Sequence, residues 1–209
     1  MIKLYGTSMS RAARCLWALE ELNLKYEHIP VSFPGYPVTP ASPTRQPDFL
    51  KINPNGHIPA LDDDGQIFSE SMAINLYLAE KYGQGSRWPK SIEDRAATYQ
   101  WSFWGMCEVE PHLGTLLMHR IFFAPELRDE NAAIAAAEAL KAPFKVLDDH
   151  LQGREYILGN DFTIADLNVA SILNLAMLMS VGLASTPALR RWLEKCLARD
   201  ANQKTRNMR

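Results

Sequence analysis

Two short stretches of the sequence place polar groups where they could hold a peptide-like or anionic ligand. In the first, Ile58-Pro59 introduces a short apolar run, and proline belongs at the edge or start of a strand because it lacks a backbone donor. A cis bond there would turn the N–H and C=O of Ile58 outward, free to pair with an extended peptide. The second stretch, Ser69-Glu70-Ser71, begins a predicted helix, and the N–H groups and partial positive charge of a helix start suit a carboxylate.

The first 82 residues contain the elements that would position these groups. Turn residues and hydrophobic spacing predict a strand, a helix and a second strand, then a hairpin through Asp62 to Gly65 and a helix that ends near Tyr82. The first three elements span Ile2–Tyr5, Arg11–Leu22 with Ser10 as N-cap, and Lys25–Val31. The order is βαβ followed by ββα, which is the thioredoxin-like arrangement with a mixed sheet.

No strand pattern follows residue 82, and residues 83–92 have the composition of a linker. Residues 93–209 are predicted to form an all-α domain. Its predicted helices are Glu93–Arg120, bent near Pro111; Asn131–Leu151, kinked or split at Pro143; a buried helix capped by Thr163 and Asp166; and Pro187–Leu197. The basic tail from Arg199 to Arg209 is expected to be disordered.

Composition narrows the class of protein. The chain has 209 residues, a formal net charge of −2, 47% hydrophobic and 22% charged residues, so neither nucleic acid nor a membrane surface is the expected partner. The three cysteines are odd in number and widely separated, which favours a reducing cytoplasm over a disulfide framework. Because the five histidines lack zinc-ligand spacing, no metal is expected.

Two motifs together resemble the cytosolic glutathione S-transferase family. They are Asn-Pro-Asn-Gly-His-Ile-Pro-Ala-Leu at residues 53–61 and Glu-Ser-Met-Ala-Ile-Asn-Leu-Tyr-Leu at residues 70–78. The resemblance covers nearly the whole chain and implies that glutathione is the co-substrate. It implies that the Ile58-Pro59 loop pairs with the cysteinyl backbone of glutathione, that Glu70 and Ser71 hold the γ-glutamyl end, and that His57 lies near the glycyl carboxylate.

The resemblance also identifies a candidate catalytic hydroxyl. Glutathione chemistry needs a thiolate, and a hydroxyl donor at a helix N-terminus would lower the thiol pKa from about 8.5. In serine-type members, including theta- or nu-like bacterial ones, the donor lies four residues before an arginine; Arg14 therefore selects Ser10. Ser8 and Thr7 remain alternatives, and so does a purely structural Ser10.

The expected function is a homodimeric glutathione transferase that conjugates the thiolate of glutathione to a small hydrophobic electrophile. Three further features bear on this function. The proline-rich loop with Phe33 and Tyr36 is either a flap over the site or a surface loop, and some aromatic side chains between residues 99 and 106 would line the pocket for the second substrate. Asp166 is expected to serve folding and not the chemistry. The alternatives are a non-catalytic ligand-binding protein on the same fold, or a glutathione-dependent isomerase, dehalogenase or peroxidase.

Overall fold

A computed structural model describes residues 1–32, 38–206 and 208 of the chain. The chain divides into two compact units, one made of residues 1–88 with 199–209 and the other of residues 89–198. Domain boundaries at residues 82 and 93 remain a prediction. Phe33 and Tyr36 of the proposed flap lie outside the described residues.

The first unit is built on a mixed four-stranded sheet with the order β2-β1-β3-β4. Its strands are β1 (Ile2–Gly6), β2 (Tyr26–Pro30), β3 (Ala60–Asp63) and β4 (Gln66–Ser69). β1 runs parallel to β2 and antiparallel to β3, and β3 pairs antiparallel with β4. This topology confirms the predicted thioredoxin-like arrangement.

Three α-helices accompany these strands: α1 (Ala12–Glu21) between β1 and β2, α2 (Pro47–Ile52) between β2 and β3, and α3 (Ser71–Tyr82) after β4. α1 packs against both α3 and β1, and α3 contacts β3 and β4. Fully buried aliphatic side chains from these elements form the core: Leu4, Leu16, Leu19, Leu61, Ile74 and Leu78. The core therefore holds the N-terminal ends of α1 and α3 in place relative to the sheet.

The second unit contains six α-helices among its described residues, all between residues 92 and 197. They are α4 (Ile92–Trp104), α5 (Glu110–Leu117), α6 (Glu130–Ala139), α7 (Lys141–His150), α8 (Ile164–Leu178) and α9 (Pro187–Leu197). The helical character of this unit confirms the predicted fold class. None of the helices in the described part of the chain is long and apolar enough to cross a membrane.

Prolines interrupt the helical hydrogen bonding at two points. Residues 93–120 are not a single α-helix, because a π-helical turn at Gly105–Val109 separates α4 from α5 and another, Met118–Phe122, follows α5. Pro111 has no N–H for the carbonyl four residues before it, and the wider turn ends two residues before it, at Val109. In the next segment, α6 ends at Ala139 and α7 starts at Lys141, which confirms the split; Pro143 occupies the first turn of α7, where no N–H is required.

The buried start of α8 is closed by side chains, as the Thr163–Asp166 pattern predicts. Asp166 is fully buried, and its carboxylate accepts from the N–H of Thr163 at 2.9 Å in a capping box. It also accepts from the N–H of Ile157 at 2.8 Å and from the indole N–H of Trp192 at 2.9 Å. One carboxylate thus joins the helix start, the preceding loop and α9.

The prediction of a disordered tail is wrong for most of that segment. Asp200–Arg206 form helix α10, which packs on α1 and belongs to the first unit. Its Asn202 and Thr205 side chains are buried. The tail is polar in composition, so the burial of one face of α10 against α1 could not be foreseen from hydrophobic spacing.

Candidate functional site

The segments selected from the sequence come together at one end of the sheet. In the register of the strands, Tyr5 lies opposite Ala60, and Ala60 lies opposite Ser69. Pro59 directly precedes Ala60 and Glu70 directly follows Ser69, while β1 ends at Gly6, one residue beyond Tyr5, and the loop follows it. The sheet therefore brings together the hydroxyl-bearing loop, the proline loop and the start of α3.

Gly6 allows the close approach of these segments. A Cβ at this position would lie 2.6 Å from the Cβ of Ala12, 3.5 Å from that of Ile58 and 3.9 Å from the Cα of Pro59. Its φ of 148° is also one that residues with a side chain rarely adopt. The end of β1, the start of α1 and the proline loop are thus in direct contact at a position where only glycine fits.

The Ile58–Pro59 peptide bond is cis. The loop before it is held by the buried Asn53, whose side-chain N–H donates to the carbonyl of His57 at 2.6 Å and whose oxygen accepts from the N–H of Asn55 at 3.1 Å. Pro59 is buried, Ile58 is half-buried and His57 is exposed. The side-chain amide of Asn53 thus orders the loop and places Ile58 just before β3 begins.

Glu70 has an uncommon backbone conformation at the start of α3. Its φ is 70° and its ψ is 114°, and its side chain is exposed and does not cap the helix. A positive φ is uncommon for a residue with a Cβ, and strain of this kind clusters at sites that bind ligands. The carboxylate of Glu70 is thereby available to a cationic group outside the helix.

Ser71 is oriented by Arg14 of α1. The Arg14 guanidinium donates to the Ser71 hydroxyl oxygen at 3.3 Å, and both residues are buried. Because arginine only donates, the Ser71 hydroxyl keeps its own hydrogen to give to an anion. A buried positive charge behind that hydroxyl makes the site more favourable for a carboxylate.

Ser10 lies in the turn before α1 and uses both functions of its hydroxyl. The hydroxyl donates to the Thr7 carbonyl at 2.8 Å and accepts from the Ala12 N–H at 3.1 Å. The predicted N-cap position is wrong by one residue, since the N-cap is Arg11 in a helical conformation; the turn already formed by Thr7 and Ser10 lets the chain enter the helix one residue later. The Thr7 carbonyl also accepts from the Ser10 N–H at 3.0 Å, so it keeps a partner if the hydroxyl turns away.

The other two candidate hydroxyls of this loop differ from Ser10. Ser8 donates to the backbone carbonyl of Met208 at 2.5 Å, a contact 200 residues apart in sequence. The Thr7 hydroxyl accepts from the Met9 N–H at the long distance of 3.5 Å. Of the three candidates, Ser8 is therefore committed to a partner outside the loop.

Cys15 lies beside this site but does not suit the role of a nucleophile. Burial raises the pKa of its thiol well above the ordinary value, although the charge of Arg14 opposes the shift. The thiol donates to the Ser71 carbonyl at 3.6 Å. Within the described ranges 1–32, 38–206 and 208, no group of three or more His, Cys, Asp or Glu side chains could hold a metal ion.

Three features of this site were not deduced from the sequence. Arg14 served only to align Ser10, although an arginine among the apolar residues of α1 is a signal that a buried partner must be present. The positive φ of Glu70 and the contact of Ser8 with Met208 left no local signal.

In the second unit, Trp101 is 7% exposed and Phe103 is 61% exposed, so the aromatic cluster divides between core and surface.

Comparison with known proteins defines the family. Residues 1–80 match the family model for the glutathione S-transferase N-terminal domain, and residues 112–200 match that for its C-terminal domain. The chain is 34% identical over 209 residues to glutathione S-transferase GstB of Escherichia coli K12, covering 98% of this chain and 97% of that protein. It is 35% identical over 215 residues to glutathione S-transferase 3 of Zea mays, covering 98% and 92%.

A solved structure agrees with these relatives. A glutathione transferase family member from Pseudomonas fluorescens Pf-5, crystallised with two glutathione molecules bound, has a TM-score of 0.86 and 32% identity, covering 100% of this chain and 93% of that one. The chain therefore belongs to the glutathione S-transferase family, and the family's two-part fold is the one described above.

Proposed function

We propose that this protein conjugates the thiolate of glutathione to a small hydrophobic electrophile. The observation that carries the proposal is the convergence of three segments at one end of the sheet: the turn of Ser10, the cis Ile58–Pro59 loop and the Glu70–Ser71 start of α3. Each presents a group that complements a different part of a γ-glutamyl tripeptide. The family membership and full-length relatives support the same activity.

The start of α3 is suited to the γ-glutamyl end of glutathione, which carries an ammonium group and a carboxylate. We assign the ammonium group to the exposed carboxylate of Glu70. The carboxylate of the γ-glutamyl group of glutathione would accept from the Ser71 hydroxyl and from the N–H groups of the first turn of α3, with the Arg14 cation behind them. These contacts hold the tripeptide in one orientation.

The proline loop is suited to the middle of the tripeptide. The backbone of Ile58 would pair with the cysteinyl backbone as an added strand does, since an extended peptide gains affinity from main-chain hydrogen bonds. His57, exposed in the same loop, would lie near the glycyl carboxylate. The contacts of Ile58 and His57, together with those of Glu70 and Ser71, would direct the cysteinyl side chain of glutathione toward the loop that precedes α1.

Ser10 then acts on the sulfur. Its hydroxyl rotates from the Thr7 carbonyl to the thiol sulfur, donates a hydrogen bond to the thiolate and so lowers the thiol pKa. The thiol proton leaves to solvent, and a sulfur lone pair forms the new bond to the electrophilic carbon. In a substitution, the leaving group departs with the bonding pair; in an addition, the product carbanion takes a proton from water. The protein supplies binding and proximity, because the nucleophile belongs to glutathione.

Substitution of Ser10 by alanine tests this assignment. We expect Ser10→Ala to keep its affinity for glutathione, while the rate near neutral pH falls by about 10²-fold and the pH–rate profile moves to higher pH. Spectrophotometric turnover of a panel of small electrophiles, measured across pH, checks it. Ser86→Ala is a matched control, because Ser86 also donates to a backbone carbonyl in a turn of the first unit.

An unchanged pH–rate profile in Ser10→Ala would remove Ser10 from the mechanism and transfer the role to Thr7 or Ser8. Retention of the protein on immobilised glutathione without turnover of any electrophile would favour a non-catalytic binding protein. Turnover restricted to isomerisation, dehalogenation or peroxide reduction would assign the same glutathione site to another reaction.

The assembly and location of the protein are also part of the proposal. We infer a cytoplasmic homodimer: none of the three cysteines, all within the described residues, is in a disulfide, and exposed apolar side chains such as Ile67 at 47% and Phe103 at 61% would be covered in a dimer. Sedimentation velocity measures the mass directly. A monomer at micromolar concentration would contradict the dimer and leave the glutathione site unaffected.

A further inference from the structure

The C-terminal segment is attached to both ends of α1. At one end, Arg199 binds Glu21, the last residue of α1; at the other, the Met208 carbonyl accepts from Ser8, in the loop that leads into α1. Between these attachments α10 packs along α1, with Asn202 and Thr205 buried. We call the described residues of this segment, 199–206 and 208, the C-terminal strap.

The attachment at Glu21 is an organised ion cluster. The Arg199 guanidinium makes two hydrogen bonds to the Glu21 carboxylate, at 2.5 and 2.9 Å, and the carboxylate also accepts from Arg87 at 3.3 Å and from the Trp17 indole at 3.2 Å. The Glu21 side chain is only 4% exposed. Burial alone would raise the pKa of this carboxyl, but Arg199, Trp17 and Arg87 outweigh it and lower the pKa. Bidentate pairing of this kind fixes geometry as well as energy.

A second set of contacts continues the strap toward the loop. Lys204 pairs with Glu20 at 2.5 Å, and Glu20 accepts from the Tyr26 hydroxyl at 2.7 Å. The same Tyr26 hydroxyl lies 3.7 Å from the sulfur of Met208. The strap is thus held at Arg199, at Lys204 and at the Met208 side chain, in addition to the contact of the Met208 carbonyl with Ser8.

The Met208 carbonyl affects the loop that carries Ser10. Thr7, Ser8 and Ser10 belong to one short turn, in which the Ser10 N–H and hydroxyl both donate to the Thr7 carbonyl. Anchoring the hydroxyl of Ser8 from outside limits the conformations of the residues on either side of it. The contact also occupies a hydroxyl that could otherwise compete with Ser10 for a thiolate.

We propose that the C-terminal strap is a positioning element for the thiolate site, with Met208 anchoring Ser8 so that Ser10 is the hydroxyl presented to the sulfur. The inference rests on the proposed function and refines it by excluding Ser8 as the catalytic donor. Ser8 and Met208 are positioning residues, because they act through the conformation of the loop. Arg199 and Glu21 set the position of the strap from which Met208 reaches the loop.

The test compares Ser8→Ala, which removes the donor, with a variant that stops after Arg206 and so removes the acceptor. For each we expect kcat/KM below neutral pH to fall by about 2- to 10-fold, the range that one net hydrogen bond supplies. The pH–rate profile should move upward. The dissociation constant of glutathione should change by less than about 2-fold, since the binding groups at Glu70, Ser71 and Ile58 are untouched.

Combining the two changes separates a shared contact from two independent effects. Because both variants break the same hydrogen bond, the double variant should lose no more than either single one. Ser86→Ala is again the matched control and should leave the pH–rate profile unchanged. For the far attachment, we expect Arg199→Ala to reproduce the shift in the pH–rate profile and Arg199→Lys to restore part of it, since lysine keeps the charge but not the paired geometry.

Two outcomes would overturn the inference. Unchanged pH–rate profiles in both variants, with only a lower melting temperature, would make the strap a structural element alone. Additive losses in the double variant would show that Ser8 acts independently of Met208, as a catalytic donor would. If the wild-type protein binds glutathione normally, either of these results refutes the inference and leaves the proposed function standing. If the wild-type protein does not bind glutathione, the proposed function is refuted as well.

Discussion

The starts of α3 and α8 solve the same problem in opposite ways. Every helix begins with backbone N–H groups that have no partner within the helix. At α8, Thr163 and the fully buried Asp166 form a capping box, and the same carboxylate binds a loop N–H and an indole. At α3, the N-cap residue Glu70 makes no side-chain cap, has a positive φ and keeps its carboxylate exposed.

The difference separates a helix start that serves folding from one that we propose serves binding. At α8 the protein completes every hydrogen bond of the Asp166 carboxylate with its own groups, so an added ligand would find nothing to pair with. At α3 the Glu70 carboxylate is exposed and makes no cap, and the buried Ser71 hydroxyl keeps its hydrogen, while the backbone at Glu70 is strained. A completed helix start stabilises the fold, whereas the uncompleted start of α3 is where we propose that glutathione binds.

The largest expected effect comes from removing the completed cap. Asp166→Ala should lower the free energy of unfolding by roughly 3 to 5 kcal/mol, since it removes the cap and leaves the Ile157 N–H and the Trp192 indole buried without an acceptor. Glutathione affinity of the folded fraction should stay at the wild-type value. Chemical denaturation and calorimetric titration measure the two quantities.

Asp161→Ala is the matched control for that prediction, because Asp161 is an exposed acid just before the same helix. Its stability should lie within about 0.5 kcal/mol of wild type. If Asp166→Ala unfolded like wild type but bound glutathione poorly, the distinction between a folding start at α8 and a binding start at α3 would be wrong.

An intermediate effect, of the opposite kind, is expected at the uncompleted start. Glu70→Gln and Ser71→Ala should each weaken glutathione binding by roughly ten- to a hundredfold, the equivalent of about 1.5–3 kcal/mol for a hydrogen bond to a charged group. Glu70→Gln should leave the melting temperature nearly unchanged, because the Glu70 side chain is exposed and does not cap the helix. Calorimetric titration measures the affinity.

Glu80→Gln, at an exposed position near the other end of α3, is the control for these variants and should bind glutathione as wild type does. Wild-type affinity in both Glu70→Gln and Ser71→Ala would mean that the γ-glutamyl end binds elsewhere on the protein.

The smallest expected effect sharpens the link between strain and binding. Glu70→Gly should raise the free energy of unfolding by at most about 1 kcal/mol, because glycine relieves the positive φ but gains more freedom in the unfolded chain. The same variant should lose glutathione affinity. Asn23→Gly is the comparison, since Asn23 also has a positive φ, of 52°, but lies at the end of α1 away from the site.

A loss of stability larger than about 1 kcal/mol in Glu70→Gly would show that the side chain supports the fold, and the strain at Glu70 would then need another explanation. Retained affinity would separate the backbone conformation from the binding of glutathione.

Much of the architecture could be predicted because its signals are local. The Asp64-Gly65 turn has φ values of 52° and 90°, which an Asp-Gly pair adopts readily, so the β3–β4 hairpin followed from two residues. The capping box at α8 depends on residues three positions apart, and the Pro143 split on the missing N–H of one residue. The proline loop was located in the same way, from a proline where a strand begins.

The functional details that escaped prediction depend on residues far apart in the chain. The sequence by itself determined most of the elements, their order and the three segments proposed to form the site, because each is encoded by neighbours within a few positions. Only the tertiary structure decided that Arg14 lies behind Ser71, that Glu70 adopts a positive φ, and that α10 returns to α1. Ser8 and Met208 are 200 residues apart, and a hydrogen bond between them forms only after both have been placed by the packing of the core. Which hydroxyl is left for the proposed role at the sulfur is therefore a property of the folded chain, since in the sequence Thr7, Ser8 and Ser10 are all hydroxyl donors on one loop.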